Sequence, residues 1–176
     1  GEVYYEITDS LKLTLGARYT EDEKDLKDRS PLYEGGAQPI GLDAPNTATY
    51  NNQDDKWEET TGRVVLDWAF SDDALLFGSY SRGYKGGGFN PPFNREEFPD
   101  QATTFEPEFV DAFEIGLKSE LLDNTLQANL TAFFYDYSDM QISKIVNRTS
   151  FNENTDAEIY GTEAAFVWAP GANCLL

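Results

Sequence analysis

The stretch Leu11-Lys12-Leu13-Thr14-Leu15-Gly16-Ala17-Arg18-Tyr19 decides the fold. Every odd position is apolar or aromatic, and every even one is polar or glycine. A period of two is the mark of a β-strand with one apolar face. The pattern returns in Val64, Leu66, Trp68 and Phe70 against Arg63, Val65 and Asp67, and in Phe113, Ile115 and Leu117 against Glu114, Gly116 and Lys118. It recurs in Leu126, Ala128, Leu130, Ala132 and Phe134 against Gln127, Asn129 and Thr131, and in Tyr160, Thr162, Ala164, Phe166 and Trp168 against Gly161 and Glu163. Val3 to Thr8 and Leu75 to Lys85 add two strands by their aromatic and β-branched content, the second without assignable faces.

The connections alternate in length. Asp9-Ser10, Ser71-Asp72-Asp73 and Asp123-Asn124 read as tight turns, since these residues tolerate turn geometry. Between them lie long polar segments, Asp25 to Lys56, Gly86 to Glu106 and Ser143 to Asp156, which hold most of the Pro, Gly and Asn. Loops of that length are uncommon in a compact domain without a task. Strands of ~10 to 15 residues, short turns at one end and long loops at the other predict an all-β chain: a piece of a transmembrane antiparallel β-barrel. Lipid offers no hydrogen-bond partners, so such a sheet must close on itself in the intact protein.

Composition excludes several alternatives. With 13 Lys+Arg against 32 Asp+Glu, no His and a net charge of −19, the chain has nothing to neutralise a phosphate backbone, so no nucleic-acid partner is expected. A hydrophobic share of 40% with 14% aromatics argues against disorder. The single cysteine, Cys174, leaves no intrachain disulfide and no thiolate metal cluster. No apolar run reaches the ~18 to 20 residues of a spanning helix. The chain opens Gly1-Glu2-Val3 with no export signal, which is therefore expected outside it.

The face opposite the apolar one carries Lys12, Arg18, Arg63, Asp67, Glu114, Lys118 and Glu163, side chains that a hydrated lumen tolerates. Tyr4, Tyr5, Tyr19, Trp57, Trp68, Phe70, Tyr137 and Trp168 cluster near strand ends, as interfacial girdles require. Other readings are a passive porin-like barrel and a soluble acidic β-sandwich that binds a ligand; the latter also alternates, but with shorter strands.

Four motifs, taken together, carry a resemblance. Leu13 to Thr20 (LTLGARYT), Tyr80 to Asn90 (YSRGYKGGGFN), Phe113 to Lys118 (FEIGLK) and Ala132 to Tyr137 (AFFYDY), followed by Tyr160 to Glu163 (YGTE), resemble the barrel domain of TonB-dependent outer-membrane receptors. The likeness runs in order over nearly the whole chain. It implies about seven strands of a barrel of about 22, in the outer membrane of a Gram-negative bacterium. It also implies, as partners in the intact receptor, a plug domain, TonB and the outer-membrane lipid. The implied activity is active uptake of a scarce nutrient complex, most commonly an iron-siderophore. Neither a plug nor a TonB box is read within residues 1–176, which are expected to form a partial barrel domain.

The stretch Arg82-Gly83-Tyr84-Lys85-Gly86-Gly87-Gly88 lacks the GxxxxGK[ST] spacing of a phosphate loop and a following helix. Its glycines suit a strand leaving the barrel rim, and Arg82, Tyr84 and Lys85 are its candidates for ligand contact at the mouth. The acidic clusters Glu21-Asp22-Glu23 with Asp25, and Asp54-Asp55 with Glu58-Glu59, lack regular calcium-loop spacing and read as solvated charge. No metal site and no cofactor are expected. Without His or a recognisable Ser or Cys nucleophile motif, catalysis is not expected either.

Overall fold

In a computed structural model of the chain, residues 1–28, 51–91, 98–146 and 149–170 are described. They form nine strands: β1 (Glu2–Thr8), β2 (Leu11–Asp28), β3 (Asn51–Ser71), β4 (Ala74–Lys85), β5 (Gly88–Phe89), β6 (Thr104–Phe105), β7 (Glu108–Leu121), β8 (Leu126–Val146) and β9 (Thr149–Trp168). Seven make one antiparallel sheet in the order β1-β2-β3-β4-β7-β8-β9, and β5 pairs with β6 alone. Each strand of the large sheet pairs with its sequence neighbour, apart from β4, which pairs with β7 across the β5–β6 insertion. This is the up-and-down order that a barrel wall requires.

Register carries the alternation from strand to strand. Val3, Leu15, Val64, Tyr80, Phe113, Phe134 and Tyr160 are aligned in one row across all seven strands. Leu13, Leu66, Gly78, Ile115, Ala132 and Thr162 form the row beside it on the same face. On the other face one row runs Glu6, Lys12, Asp67, Phe77, Gly116, Thr131, Glu163, and another runs Glu2, Gly16, Arg63, Ser81, Ala112, Tyr135, Ile159. A slip of one residue would exchange the faces, so matched patterns on every strand hold the register.

The sheet is a single layer whose apolar face packs against nothing in this chain. Leu15 (45%), Ile115 (56%) and Tyr160 (77%) stay exposed, and so do Val64, Leu66 and Phe166. Soluble proteins rarely leave so wide an apolar surface bare, whereas a transmembrane β-barrel presents such a face to lipid.

Two expectations change. The segment Ser143 to Asp156 is strand rather than loop over most of its length, because β8 runs to Val146 and β9 starts at Thr149. A bulge between Tyr137 and Met140 makes this possible: Asp139 takes φ 56°, its N–H is received by Asp156 Oδ1, and its carbonyl accepts from Asn154 Nδ2 at 2.7 Å. The loop Asp25 to Lys56 is likewise shortened, β2 reaching Asp28 and β3 starting at Asn51, with its middle outside the described residues. The strand over Leu75 to Lys85 gains faces, with Leu76, Gly78 and Tyr80 on the apolar side.

Candidate functional site

At the end away from the tight turns, β3 and β4 part company. Their pairing ends at Arg63↔Ser81, while β2 and β3 continue together to Asp28↔Asn51, and β4 stays with β7 to Lys85↔Glu108. A gap therefore opens between two long hairpins, and residues 86–91 and 98–106, which follow β4, enter it.

That segment is tied on both sides. Toward the first hairpin, Lys24 Nζ donates to the Gly87 carbonyl at 2.5 Å and stands 5.4 Å above the Trp57 ring. Trp57 in turn meets Phe89 at 6.2 Å. A Cβ at position 87 would lie 2.7 Å from the Phe105 carbonyl and 2.9 Å from the Trp57 ring, so glycine there sets how closely the segment approaches. Toward the second hairpin, Asn90, only 1% exposed, sends its amide to the carbonyls of Ala102 and Asn152, and its Oδ1 receives the Asn152 N–H at 2.6 Å. One side chain thus mimics a strand partner for Asn152. Gln141 Nε2 reaches the carbonyls of Gly86 and Glu106, both at 3.1 Å, and Asn154 exchanges hydrogen bonds with the Glu106 backbone. Phe151, fully buried, packs on Phe98 at 5.2 Å. Phe98, Phe151 and Ala128 are the buried hydrophobic residues among those described, so the chain's small core lies mainly under this segment rather than in the wall.

The structure separates the three expected mouth residues. Arg82 falls on the face of Tyr80 and Phe113 by register. Its guanidinium pairs with Asp111 at 2.9 Å and covers the Phe109 ring at 4.8 Å, and Tyr80 also donates to Asp111. Lys85 reaches Glu108 at 3.5 Å. Tyr84 turns into the gap, its buried hydroxyl beside the Asp22 carboxylate. Glycine at 86 leaves room for that meeting, since a Cβ there would lie 2.7 Å from Asp22 Oδ2 and 3.4 Å from Tyr84 Oη. Trp57, Phe89, Asn90, Gln141 and Asn152 join this site with no spacing signal to announce them; only Phe89 and Asn90 fall inside a quoted motif.

On the polar face, Lys12 pairs with Asp67 at 3.3 Å and Arg63 with Glu2 at 2.7 Å. Tyr135 donates to Glu114, and Lys118 lies 5.3 Å over the Phe77 ring. Arg18 and Glu163 form no ion pair among the described residues. Beyond the wall, Lys56 bridges Glu58 at 2.5 Å and Glu21 at 3.2 Å. Those bonds push its ammonium well above the usual lysine range and hold the Glu58 carboxyl below the usual 4.5. No group of three or more metal-ligating side chains occurs among the described residues.

A single-layer antiparallel wall with one bare apolar face, tight turns at one end and built-up hairpins at the other belongs to the class of transmembrane β-barrels. Residues 1–173 match the family described as TonB dependent receptor-like, beta-barrel, and the chain belongs to that family. Its fold is similar to that of the ferric yersiniabactin uptake receptor FyuA from Yersinia pestis, at 19% identity and a TM-score of 0.73 over 97% of this chain and 24% of that one. The copper transporter OprC is similar at 17% identity and a TM-score of 0.66, over 98% and 26%. The alcaligin outer-membrane receptor FauA from Bordetella pertussis is similar at 10% identity and a TM-score of 0.57, over 97% and 26%. The chain spans about a quarter of the length of these structures. TonB-dependent receptors are transporters of the Gram-negative outer membrane rather than enzymes.

Proposed function

We propose that this chain is part of the wall and mouth of an outer-membrane receptor that takes up a ferric siderophore by TonB-driven transport. The observation that carries the reading is the segment after β4, anchored between two hairpins that rise beyond the wall and lined by Trp57, Tyr84, Phe89 and Phe105. Aromatic rings held at fixed positions suit a planar or catecholate-like chelate. Lys85 and Tyr84 are the ligand contacts on this reading. Arg82, held by Asp111 on the apolar-row face, is assigned to the rim of the wall. The face bearing Lys12, Arg18, Arg63, Asp67, Glu114, Lys118 and Glu163 is assigned to the lumen, where a plug domain would lie in the intact receptor. The relatives support the ligand class, since their names include ferric-siderophore receptors, and the copper transporter among them makes a metal-chelate of another kind the alternative cargo.

The test is binding of a panel of ferric siderophores to the full-length receptor, followed by intrinsic fluorescence, with Trp57→Ala and Tyr84→Phe alongside. Saturable quenching by one ferric chelate, weakened about tenfold or more in Trp57→Ala, is the expected result. No binding by any ferric chelate, together with binding of a copper complex or a metal-free solute, would overturn the ligand class.

A further inference from the structure

One ammonium already sits in the gap between the first hairpin and the segment after β4, and it belongs to the chain itself. Lys24 Nζ lies 5.4 Å from the centre of the Trp57 ring and donates to the Gly87 carbonyl. Its cross-strand partner is Asp55, yet the two form no ion pair among the described residues. A lysine that passes over a facing carboxylate for an aromatic face and a backbone carbonyl marks a place shaped for an ammonium. The ring quadrupole attracts the cation, and the carbonyl takes one of its N–H groups. Asp22 completes the cage: it faces Trp57 across the strand pair, and a Cβ at Gly86, one residue before Gly87, would lie 2.7 Å from its Oδ2.

The negative charge around this cage exceeds what Lys24 neutralises. Register puts Lys24 with Asp55, Asp22 with Trp57 and Thr20 with Glu59 in successive rows on one side of the hairpin. Asp22, Asp55 and Glu59 have no cationic partner among the described residues, whereas Lys85 is held by Glu108, Arg82 by Asp111, and Lys56 by Glu21 and Glu58. Arg18, unpaired on that side, lies at the wall, about 20 Å along β2 from Lys24 at ~3.3 Å per residue. We propose that the seam is an ammonium site: Lys24 fills it until ligand binds, and the ferric chelate taken up carries a protonated amine that displaces it. Lys24 is exposed, so its ammonium returns to water readily, and the segment stays anchored to the second hairpin by Asn90 and Gln141. A trianionic tris-catecholate, which aromatic rings alone would accept, meets carboxylates here and is turned away by charge. This rests on the reading of the segment after β4 as the ligand contact.

The experiment is calorimetric titration of the full-length receptor in detergent with one ferric tris-hydroxamate in three forms: terminal amine free, acetylated and succinylated. These make the same chelate cationic, neutral and anionic. A ferric tris-catecholate and the wider ferric panel are titrated alongside. Wild type binds the amine form about tenfold tighter than the acetylated form, and the succinylated form more weakly still. Asp22→Asn brings the amine and acetylated forms close to equal. Lys24→Met, which removes the internal competitor, tightens binding of the amine form about threefold or more while its circular dichroism matches wild type. Equal binding of the amine and acetylated forms, tighter binding of any amine-free ferric chelate, or weaker amine binding in folded Lys24→Met overturns this proposal alone. Failure of every ferric chelate to bind overturns the reading beneath it.

Discussion

Ala164→Arg and Glu163→Arg place the same charge at adjacent residues of β9 on opposite faces. Ala164 belongs to the apolar side, paired with Leu130, and Glu163 to the polar row with Thr131. Both side chains are exposed in this sheet. Ala164 lies four residues from Trp168 at the strand's end. At ~3.3 Å per residue and a tilt near ~40°, that is ~10 Å into an apolar band ~25 Å tall, close to its middle. An arginine at that depth on the lipid face costs about 2 to 4 kcal/mol, while one facing a hydrated lumen costs well under ~1 kcal/mol. Denaturant titrations of the full-length receptor in phospholipid vesicles read the difference. Equal losses, or a larger loss for Glu163→Arg, would refute the face assignment. Leu15 belongs to the same apolar side, but its sequence neighbour Thr14 makes a poor control: it is only 4% exposed, and an arginine there would be crowded as well as moved to the other face.

Asn90→Ala removes three hydrogen bonds from a buried amide and leaves the Asn152 backbone unpaired; local opening of residues 98–106 should become easier by about 2 kcal/mol, read as faster amide exchange there with the wall unaffected. Leu122, at φ 56°, occupies a left-handed conformation that leucine dislikes, so Leu122→Asn should stabilise the turn by about 1 kcal/mol in the same denaturant titration. The Lys56 cluster predicts a pH window for the β2–β3 extension. Glu58, lowered chiefly by its bond from Lys56, supplies pairing above its ordinary 4.5 and loses it as pH falls through the depressed value; Lys56, raised chiefly by Glu58, keeps its contribution until pH climbs above its ordinary 10.5. Amide exchange in residues 53–59 should accelerate at both extremes and, in Glu58→Gln, lose its acid limb.

The wall was legible because lipid on one side and water on the other impose a strict period of two, as at Leu11 to Tyr19. Leu75 to Lys85 hid its faces because Phe77 sits on the polar side and Gly78 on the apolar side, against the usual sense. Register explains the first inversion: the Phe77 ring covers Gly116 on the next strand, and Phe133 covers Gly161 in the same way. Glycine opposite an inward aromatic was the signal available and unread. The hairpin over Ser143 to Asp156 was illegible for a different reason. Beyond the wall, backbone pairing and Asn side chains build strands without alternation, so Asn152 and Asn154 give it the composition of a loop. The candidate site was legible only in part. Tyr84 and Lys85 fell within a glycine-rich motif, whereas Trp57, Gln141 and Asn152 meet it through long-range register that local sequence does not encode.

The most direct test is a spin-label scan of Leu11 to Tyr19 in the full-length receptor in bilayers, comparing accessibility to oxygen and to a water-soluble nickel chelate. Labels at 11, 13, 15, 17 and 19 should favour oxygen and those at 12, 14, 16 and 18 should not, with a period of two. Uniform access to the nickel chelate, or the opposite phase, would contradict a membrane-spanning wall whose odd face meets lipid.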